Sequence, residues 1–249
     1  MLEMIYVAHT AHWQFLGLIT GFVAWILTMA TAGINEWRLW YVADVSVITS
    51  GVAWVGIWRA CFYSHVLPRT ENCQSISILD TFVPAEIHLA QVLMMLAVIS
   101  GLVGNVSAAV AMRMAYFSVE NRSNIRMVFV MTGVLYLLTA TISLVPLVWN
   151  MTSVLNNSTI DFPPEFYLPV APVRQSVGSA IGMGIFASIL MLISGLLFLC
   201  YRYVRQAPEQ RRDPLSGPWT VTTLTKNSEP SRDGSTGMDN YAFHSGEGS

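Results

Sequence analysis

Charged side chains are scarce in this sequence. Asp, Glu, Lys and Arg together make up 11% of the 249 residues, against about 25% in a typical soluble domain. They are absent altogether from four stretches, residues 13–33, 87–111, 127–149 and 175–201. A helix needs about 20 apolar residues to cross a membrane, and one charge at its centre costs about 2.5–3.5 kcal/mol. The four uncharged stretches therefore predict four membrane-spanning helices.

These stretches also lack a polar stripe. Each helix of a soluble bundle would carry one polar face, so a soluble helical protein is excluded. Ion and proton pathways through membranes usually need buried ionisable residues. Because the stretches contain no Asp, Glu, Lys or Arg, a transporter is not expected.

Residues that could carry catalysis are few and scattered. The five histidines, at positions 9, 12, 65, 88 and 244, fall on both sides of the predicted membrane. The sequence has no GxSxG nucleophile motif and no phosphate-binding loop. We therefore expect no enzyme, no catalytic residue, no metal site and no cofactor. Nucleic acid is likewise not an expected partner.

The arginines cluster on one side of the predicted membrane. Cytosolic loops carry an excess of positive residues. Arginines are dense between the second and third stretches and after the fourth, at positions 113, 122, 126, 202, 205, 211 and 212. Residues 112–126 and the tail 202–249 are therefore predicted to be cytosolic, and with four spans residues 1–12 are too. The loops 34–86 and 150–174 are then extracellular.

One alternative concerns the first stretch. Ala30-Thr31-Ala32 is similar to a signal-peptidase site at the end of an apolar run. The run is longer than the roughly 7–15 residues of a signal peptide and has no Lys or Arg before it. A membrane span is therefore favoured over a cleaved leader.

The first extracellular loop has the composition of a small β-sheet. Aromatic and β-branched residues are enriched in three runs, which is typical of strands. Residues that favour turns separate the runs. The predicted strands are 37–42, 45–49 and 52–62, and the predicted turns are at Asp44, Ser50-Gly51 and Pro68.

Two of the three cysteines, Cys61 and Cys73, lie in this loop. The extracellular environment is oxidising, so the pair can form a disulfide. A ring this short stabilises a fold by about 3 kcal/mol. A small sheet is marginally stable alone and needs such support.

Three residues are candidate modification sites. Cys200 lies at the cytosolic end of the fourth stretch, where S-palmitoylation and a buried thiol are both open alternatives. Asn156 and Asn157 begin overlapping glycosylation sequons in the second extracellular loop.

The second extracellular loop also contains a run of aromatic residues between prolines. It includes Phe166, Tyr167 and Pro169. Exposed aromatics of this kind indicate a contact surface or a short edge strand. The alternative is that they dip into the lipid interface.

Several of these residues match a family pattern. Trp37-Arg38, Gly56-Ile57-Trp58, Cys61 and Cys73 resemble the claudin signature of Trp, Gly-Leu-Trp, Cys and Cys. Similar residues follow at Pro84-Ala85-Glu86, Pro146-x-x-Trp149 and Phe166-Tyr167-x-Pro169. The resemblance covers about residues 13–202, and the chain is most similar to a divergent branch of the family.

The resemblance implies a fold and a function. The implied fold is a mainly α membrane protein of the peripheral myelin protein/claudin superfamily. It has a left-handed four-helix bundle and a small extracellular antiparallel β-sheet. The implied role is adhesion and a paracellular barrier at tight junctions of the plasma membrane. The implied partners are membrane lipid, further copies of this chain and other claudins, in the same and in the opposing membrane.

Some residues depart from the family pattern. Gln91 stands where claudins usually have an arginine, and Ser176 stands where they usually have a glutamate. The tail 202–249 is rich in Ser, Gly, Pro and charge without periodicity, which predicts disorder. It does not end in the Tyr-Val that binds PDZ scaffolds, so scaffold binding is not expected.

The charge pattern favours a barrier over an ion-selective pore. In channel-forming claudins charged residues often flank the two cysteines, whereas here Phe62 and Gln74 follow them. The charges of the first loop also nearly balance, at Arg38, Asp44, Arg59, Arg69, Glu71, Asp80 and Glu86.

A second class of function stays open. The Trp, Gly-x-Trp, Cys, Cys pattern also occurs in peripheral myelin proteins and in calcium-channel gamma subunits. An auxiliary subunit of a membrane channel or receptor is therefore the alternative. Phe166-Tyr167-x-Pro169 in the second loop favours the claudin interpretation.

Overall fold

The computed structural model describes residues 2–43, 48–64, 71–117 and 122–200. Within this part of the chain there are four α-helices and one sheet. The helices are α1 (Leu2–Gly33), α2 (Ala85–Phe117), α3 (Arg122–Leu155) and α4 (Ser179–Leu199). The predicted turns at Asp44 and Pro68 and the predicted disordered tail lie outside the described residues.

All four helices are long and apolar enough to cross a membrane. The qualifying segments are His12–Gly33, Ala85–Tyr116, Ile125–Leu155 and Ser179–Leu199. Large apolar side chains also cover the outside of the bundle, with many valines, leucines and isoleucines about half exposed. Soluble monomers rarely expose so much contiguous apolar surface. The expectation of four membrane-spanning helices is confirmed.

Small and hydroxyl-bearing residues join the helices. Gly21 of α1 lies against the ring of Tyr136 of α3, where a side chain would collide. The Ser194 hydroxyl of α4 donates to the backbone oxygen of Gly17, and the hydroxyls of Ser143 and Ser188 lie 2.9 Å apart. Close approach and interhelical hydrogen bonds are what associate helices in lipid, where the hydrophobic effect is weak.

The sheet is antiparallel and has five strands in the order β4-β3-β2-β1-β5. The strands are β1 (Arg38–Tyr41), β2 (Ile48–Val55), β3 (Arg59–Ser64), β4 (Glu71–Ser75) and β5 (Arg174–Val177). A mainly α membrane protein with a small antiparallel sheet is therefore confirmed.

The strands differ from the sequence prediction: β4 was not predicted, and two boundaries moved at glycines. The predicted strand 52–62 is interrupted at Gly56, whose backbone N–H donates to the Arg59 oxygen and closes a turn. Gly51, predicted to lie in a turn, lies inside β2. Its φ of 63° suits glycine, and it sits where the β2–β3 register shifts, as a bulge does.

The helix boundaries also differ from the predicted spans. Helix α1 begins at Leu2 rather than after residue 12, and α3 continues to Leu155 rather than stopping at 149. Residues 174–177, most of which were assigned to the fourth helix, form β5. Hydropathy locates the apolar part of a helix but does not predict the polar turns that extend the helix beyond it.

One face of the sheet is buried against the helix ends and the second loop. Trp40 and Phe62 on this face, and Trp37 just before β1, are almost fully buried. They pack with apolar residues of the helices and of the second loop, namely Ile87, Leu147, Phe162, Phe166 and Ile181. This shared core fixes the sheet to the bundle.

Candidate functional site: the sheet and its junction with the helices

The disulfide between Cys61 and Cys73 is confirmed. The two residues are direct cross-strand partners on β3 and β4, with Cα atoms 4.1 Å apart. The side-chain amide of Asn35 donates to the Cys61 sulfur at 3.4 Å. Glu71 lies near both sulfurs, but because the thiols are joined to each other they do not offer a metal two free ligands.

Trp37 and Trp40 attach the sheet to its surroundings through their indole N–H groups. Trp37 donates to the backbone oxygen of Thr31 in α1 at 3.0 Å, and Trp40 donates to that of Pro169 in the second loop at 3.2 Å. Buried indoles usually find such a partner. The signature tryptophan therefore fixes β1 to the first helix.

Gly56, Ile57 and Trp58 form the turn between β2 and β3. A side chain at Gly56 would collide with the backbone of Asn35, which explains the glycine. Ile57 is buried, and its backbone oxygen accepts a 2.6 Å hydrogen bond from the Gln91 amide. Gln91, a residue of α2, thus holds the turn against that helix.

Arg38 is buried at the junction of the sheet with α2 and α3. Its side chain is 1% exposed, and its Nη2 donates to Glu86 at 3.2 Å and to the Asn150 side-chain oxygen at 2.8 Å. The Ser153 hydroxyl donates to the same Glu86 oxygen at 2.6 Å. Burial lowers the pKa of Arg38, and the Glu86 carboxylate opposes that shift. We name these four residues the junction network.

The junction network changes which charges of the first loop lie at the surface. Arg38 and Glu86 were counted among surface charges of the loop, but both are buried and paired. Asn150 also uses its amide to donate to the backbone oxygens of Glu86 and Pro146, each at 3.0 Å. Glu86 and Asn150 lie 48 and 112 positions from Arg38 in the sequence, so no local sequence signal could have found the network.

The aromatic residues of the second loop divide into buried and exposed members. Phe166 belongs to a short 3₁₀ helix and is buried, with its ring 5.4 Å from Phe82 and 5.6 Å from Phe162. It is therefore a core residue, not the contact residue that the sequence suggested. Tyr167 is 62% exposed, and Pro169 accepts the hydrogen bond from Trp40.

The candidate modification sites lie at helix ends. Asn156 and Asn157 are exposed just after α3. Asn157 has a φ of 52° and, with Ser158, returns backbone hydrogen bonds to Val154 and Ser153, a Schellman arrangement that ends the helix. Cys200 is exposed at the end of α4, so the buried-thiol alternative is wrong.

The other face of the sheet, which we name the open face, presents two rows of side chains across the five strands. The first row is Cys73, Cys61, Trp54, Leu39 and Ser176. The second consists of the pair Glu71 and Tyr63 on β4 and β3 and the run Val52, Tyr41 and Arg174 on β2, β1 and β5. Trp54 and Tyr63 meet edge to face, with ring centroids 5.4 Å apart. Apart from Glu71 and Arg174, both rows are uncharged.

A family model described as "PMP-22/EMP/MP20/Claudin tight junction" matches residues 22–200. The match includes the whole sheet, the junction network and the helices α2 to α4. The chain belongs to the claudin family.

Similar proteins of known identity include claudins 2 and 3. Bovine claudin-2 is 26% identical over 219 residues, covering 87% of this chain and 88% of its own. Human claudin-2 is 27% identical over 190 residues, covering 76% and 77%. Claudin-3 from Rattus norvegicus is 25% identical over 182 residues, covering 72% and 77%.

Membership in the claudin family carries general consequences for this chain. It supports a membrane protein of tight junctions and contacts with other claudins in membranes. It also points to a structural rather than a catalytic protein.

Proposed function

We propose that this claudin-family protein is a structural and adhesion component of tight junctions that limits paracellular passage. The sheet lies outside the cell and both chain ends lie in the cytosol, as the arginine distribution favours. The observation that carries the proposal is a set of exposed apolar side chains in the loops next to the sheet. They are Ile78, Leu79, Tyr167, Val170 and Val173.

These side chains lie outside the four membrane-spanning segments, so membrane hydrocarbon does not account for their exposure. Leu79 is 84% exposed, more than any other large apolar residue in the described part of the chain. Exposed apolar patches on folded proteins mark interaction sites. Exposed apolar side chains in loops beside the anchored sheet support contact with neighbouring junction proteins.

Contact enrichment tests the adhesion role. In cells that lack junctions, we expect the protein to concentrate where two expressing cells touch. Leu79→Asp should lower that enrichment about tenfold, because burying a leucine contributes about 1.5–3 kcal/mol. Leu79→Met keeps the apolar area and is the matched control. Uniform surface staining of the unchanged protein would contradict adhesion and point to an auxiliary subunit.

The open face supports a barrier rather than a selective pore. In the described part of the chain its charged side chains are Arg59, Glu71 and Arg174, which leave one positive charge in excess. Of the residues that follow the cysteines, Phe62 is buried on the opposite face and Gln74 is uncharged. Nothing on this face gives cations or anions a clear electrostatic advantage.

Electrical measurements test the barrier. Expression in a leaky epithelial monolayer should raise transepithelial resistance and leave the ratio of sodium to chloride permeability within about twofold of its starting value, because the face carries little net charge. An unrelated surface membrane protein serves as control. A fall in resistance with a strong preference for either ion would overturn the barrier proposal.

A further inference from the structure

The second extracellular loop contains three sequons for N-linked glycosylation, which begin at Asn150, Asn156 and Asn157. Asn150 is 1% exposed. Its side-chain oxygen accepts a hydrogen bond from Arg38 at 2.8 Å, and its amide nitrogen donates to two backbone oxygens, each at 3.0 Å. A glycan is attached to that nitrogen, which here is enclosed by the protein, so the Asn150 sequon is excluded.

Asn156 and Asn157 are both exposed, but the backbone holds them differently. The N–H of Asn156 donates to the backbone oxygen of Thr152 at 3.0 Å, so Asn156 still belongs to the last turn of α3. Asn157 has a φ of 52°, the left-handed conformation that ends a helix. The sequon Asn157-Ser158-Thr159 therefore leaves the helix, whereas the Asn156 sequon begins inside it.

The two overlapping sequons also differ in the residue that supplies the hydroxyl group. It is Ser158 for Asn156 and Thr159 for Asn157. Threonine offers the glycosylating enzyme a methyl group in addition to the hydroxyl, and apolar contact strengthens binding. Backbone geometry and hydroxyl chemistry thus favour the same asparagine.

We propose that Asn157 carries an N-linked glycan and that Asn150 and Asn156 do not. In the reaction the amide nitrogen of Asn157 forms a bond to the anomeric carbon of an oligosaccharide. The bond from that carbon to a lipid-linked diphosphate breaks, the diphosphate leaves with the electron pair, and the amide releases one proton. The inference rests on the proposed function, because this transfer occurs on the side of the membrane that becomes extracellular.

The end of α3 lies clear of the membrane surface. Trp149 marks the outer interface, where tryptophan is enriched. Asn157 follows Trp149 by eight positions, and a helix rises about 1.5 Å per residue, so Asn157 lies about 12 Å farther out along the helix. The headgroup layer is about 5–8 Å thick on each side. Asn157 is therefore in water, where a polar oligosaccharide does not have to enter the membrane.

The Asn157 sequon also lies beside an edge of the sheet. The side-chain amide of Gln175 on β5 donates to the backbone oxygen of Ser158 at 2.7 Å. Within the described residues β5 pairs only with β1 and so forms one edge of the sheet. Exposed sheet edges can pair with a strand of another molecule, and proteins commonly cover them. A glycan on Asn157 is placed to cover the β5 edge.

Enzymatic removal of glycans from surface protein tests the assignment. Full-length protein is expressed in mammalian cells, labelled at the surface, purified, and treated with a peptide N-glycosidase in water enriched in heavy oxygen. The enzyme converts a glycosylated asparagine to an aspartate that carries the heavy oxygen, so mass spectrometry identifies the residue. We expect one downward step in apparent mass and the heavy oxygen at Asn157 alone.

Single substitutions separate the overlapping sequons. Asn157→Gly removes the acceptor nitrogen but keeps the left-handed turn, because glycine adopts this conformation readily. Thr159→Ala removes the same sequon and leaves Asn157 in place. Both variants should lose the step in apparent mass. Ser158→Ala removes only the neighbouring sequon and Thr152→Ala only the first one, so these two controls should keep the step.

Leu79→Asn distinguishes failure of the site from failure of the orientation. This substitution completes a sequon with Thr81 in the first loop, at a position that is 84% exposed. The variant should show one step more than the unchanged protein. A step in Leu79→Asn alone would overturn the glycan on Asn157 and leave the loops outside the cell. No step in either protein would overturn the glycan and the proposed orientation together.

Two further results would overturn the assignment. One is heavy oxygen at Asn156 or Asn150 in the unchanged protein. The other is a step in apparent mass that persists in Thr159→Ala, because a different sequon would then carry the glycan.

Discussion

Replacing Glu86 by Gln is expected to lower the free energy of unfolding by about 3–5 kcal/mol. The substitution keeps the shape of the side chain but leaves the buried charge of Arg38 without its counter-charge. Because Arg38 also joins Asn150 of α3, the loss should loosen the sheet from two helices at once. Thermal unfolding of the purified protein in detergent measures the effect, and surface delivery in cells gives a second readout.

Two comparisons make this result specific to the buried pair. Glu165→Gln is the same chemical change at an exposed position, and it should stay within about 0.5 kcal/mol of the unchanged protein. Adding Arg38→Met to Glu86→Gln should recover part of the lost stability, since an apolar replacement removes the unpaired charge. Equal stability of Glu86→Gln and Glu165→Gln would show that the junction network does not hold the sheet.

Gly178→Ala is the second substitution expected to be severe. A methyl group there would overlap the backbone carbonyl of Glu36 and crowd that of Trp37. Main-chain atoms cannot rotate aside as a flexible side chain can. The hydrogen bonds from Gly178 to Trp37 and from Ala180 to Glu36, 2.9 and 3.1 Å long, would have to lengthen. We expect a loss of about 3 kcal/mol, at the upper end for overpacked sites.

Gly182→Ala, four residues later and inside α4, provides the matched control. A methyl group at Gly182 meets no atom within 4 Å, and alanine is the better helix former by about 1 kcal/mol. This variant should therefore be as stable as the unchanged protein or slightly more so. If both alanine variants melt at the same temperature, the contact between Gly178 and Glu36 does not limit the packing of β5.

The helices were predictable because a membrane-spanning helix must lack charged residues, and this can be checked residue by residue. The absence of charge over about 20 positions is a local property. Cys61 and Cys73 could be paired for a similar reason, since they are the two cysteines of one loop. The composition of the first loop predicted a sheet. The strand boundaries near Gly51 and Gly56 were not predictable, because the bulge and the turn at these glycines depend on pairing with β3.

The long-range contacts were not predictable from local patterns. Strand β5 has four residues and pairs with β1 more than 130 positions earlier. Arg38 looked like a surface charge because arginine is rarely buried, and the residues that accept hydrogen bonds from its Nη2 come from distant helix ends. Phe166 looked exposed because its loop is rich in proline, although Phe82 and Phe162 enclose it.

The pairing of β5 with β1 has a consequence for chimeric proteins. The sheet takes four strands from residues 34–84 and its fifth from residues 156–178. Neither segment completes the hydrogen-bonded edge alone, and Trp40 reaches across to Pro169. Grafting one loop onto a relative would leave β1 and β5 mismatched, whereas transplanting both loops together would carry an intact five-stranded sheet.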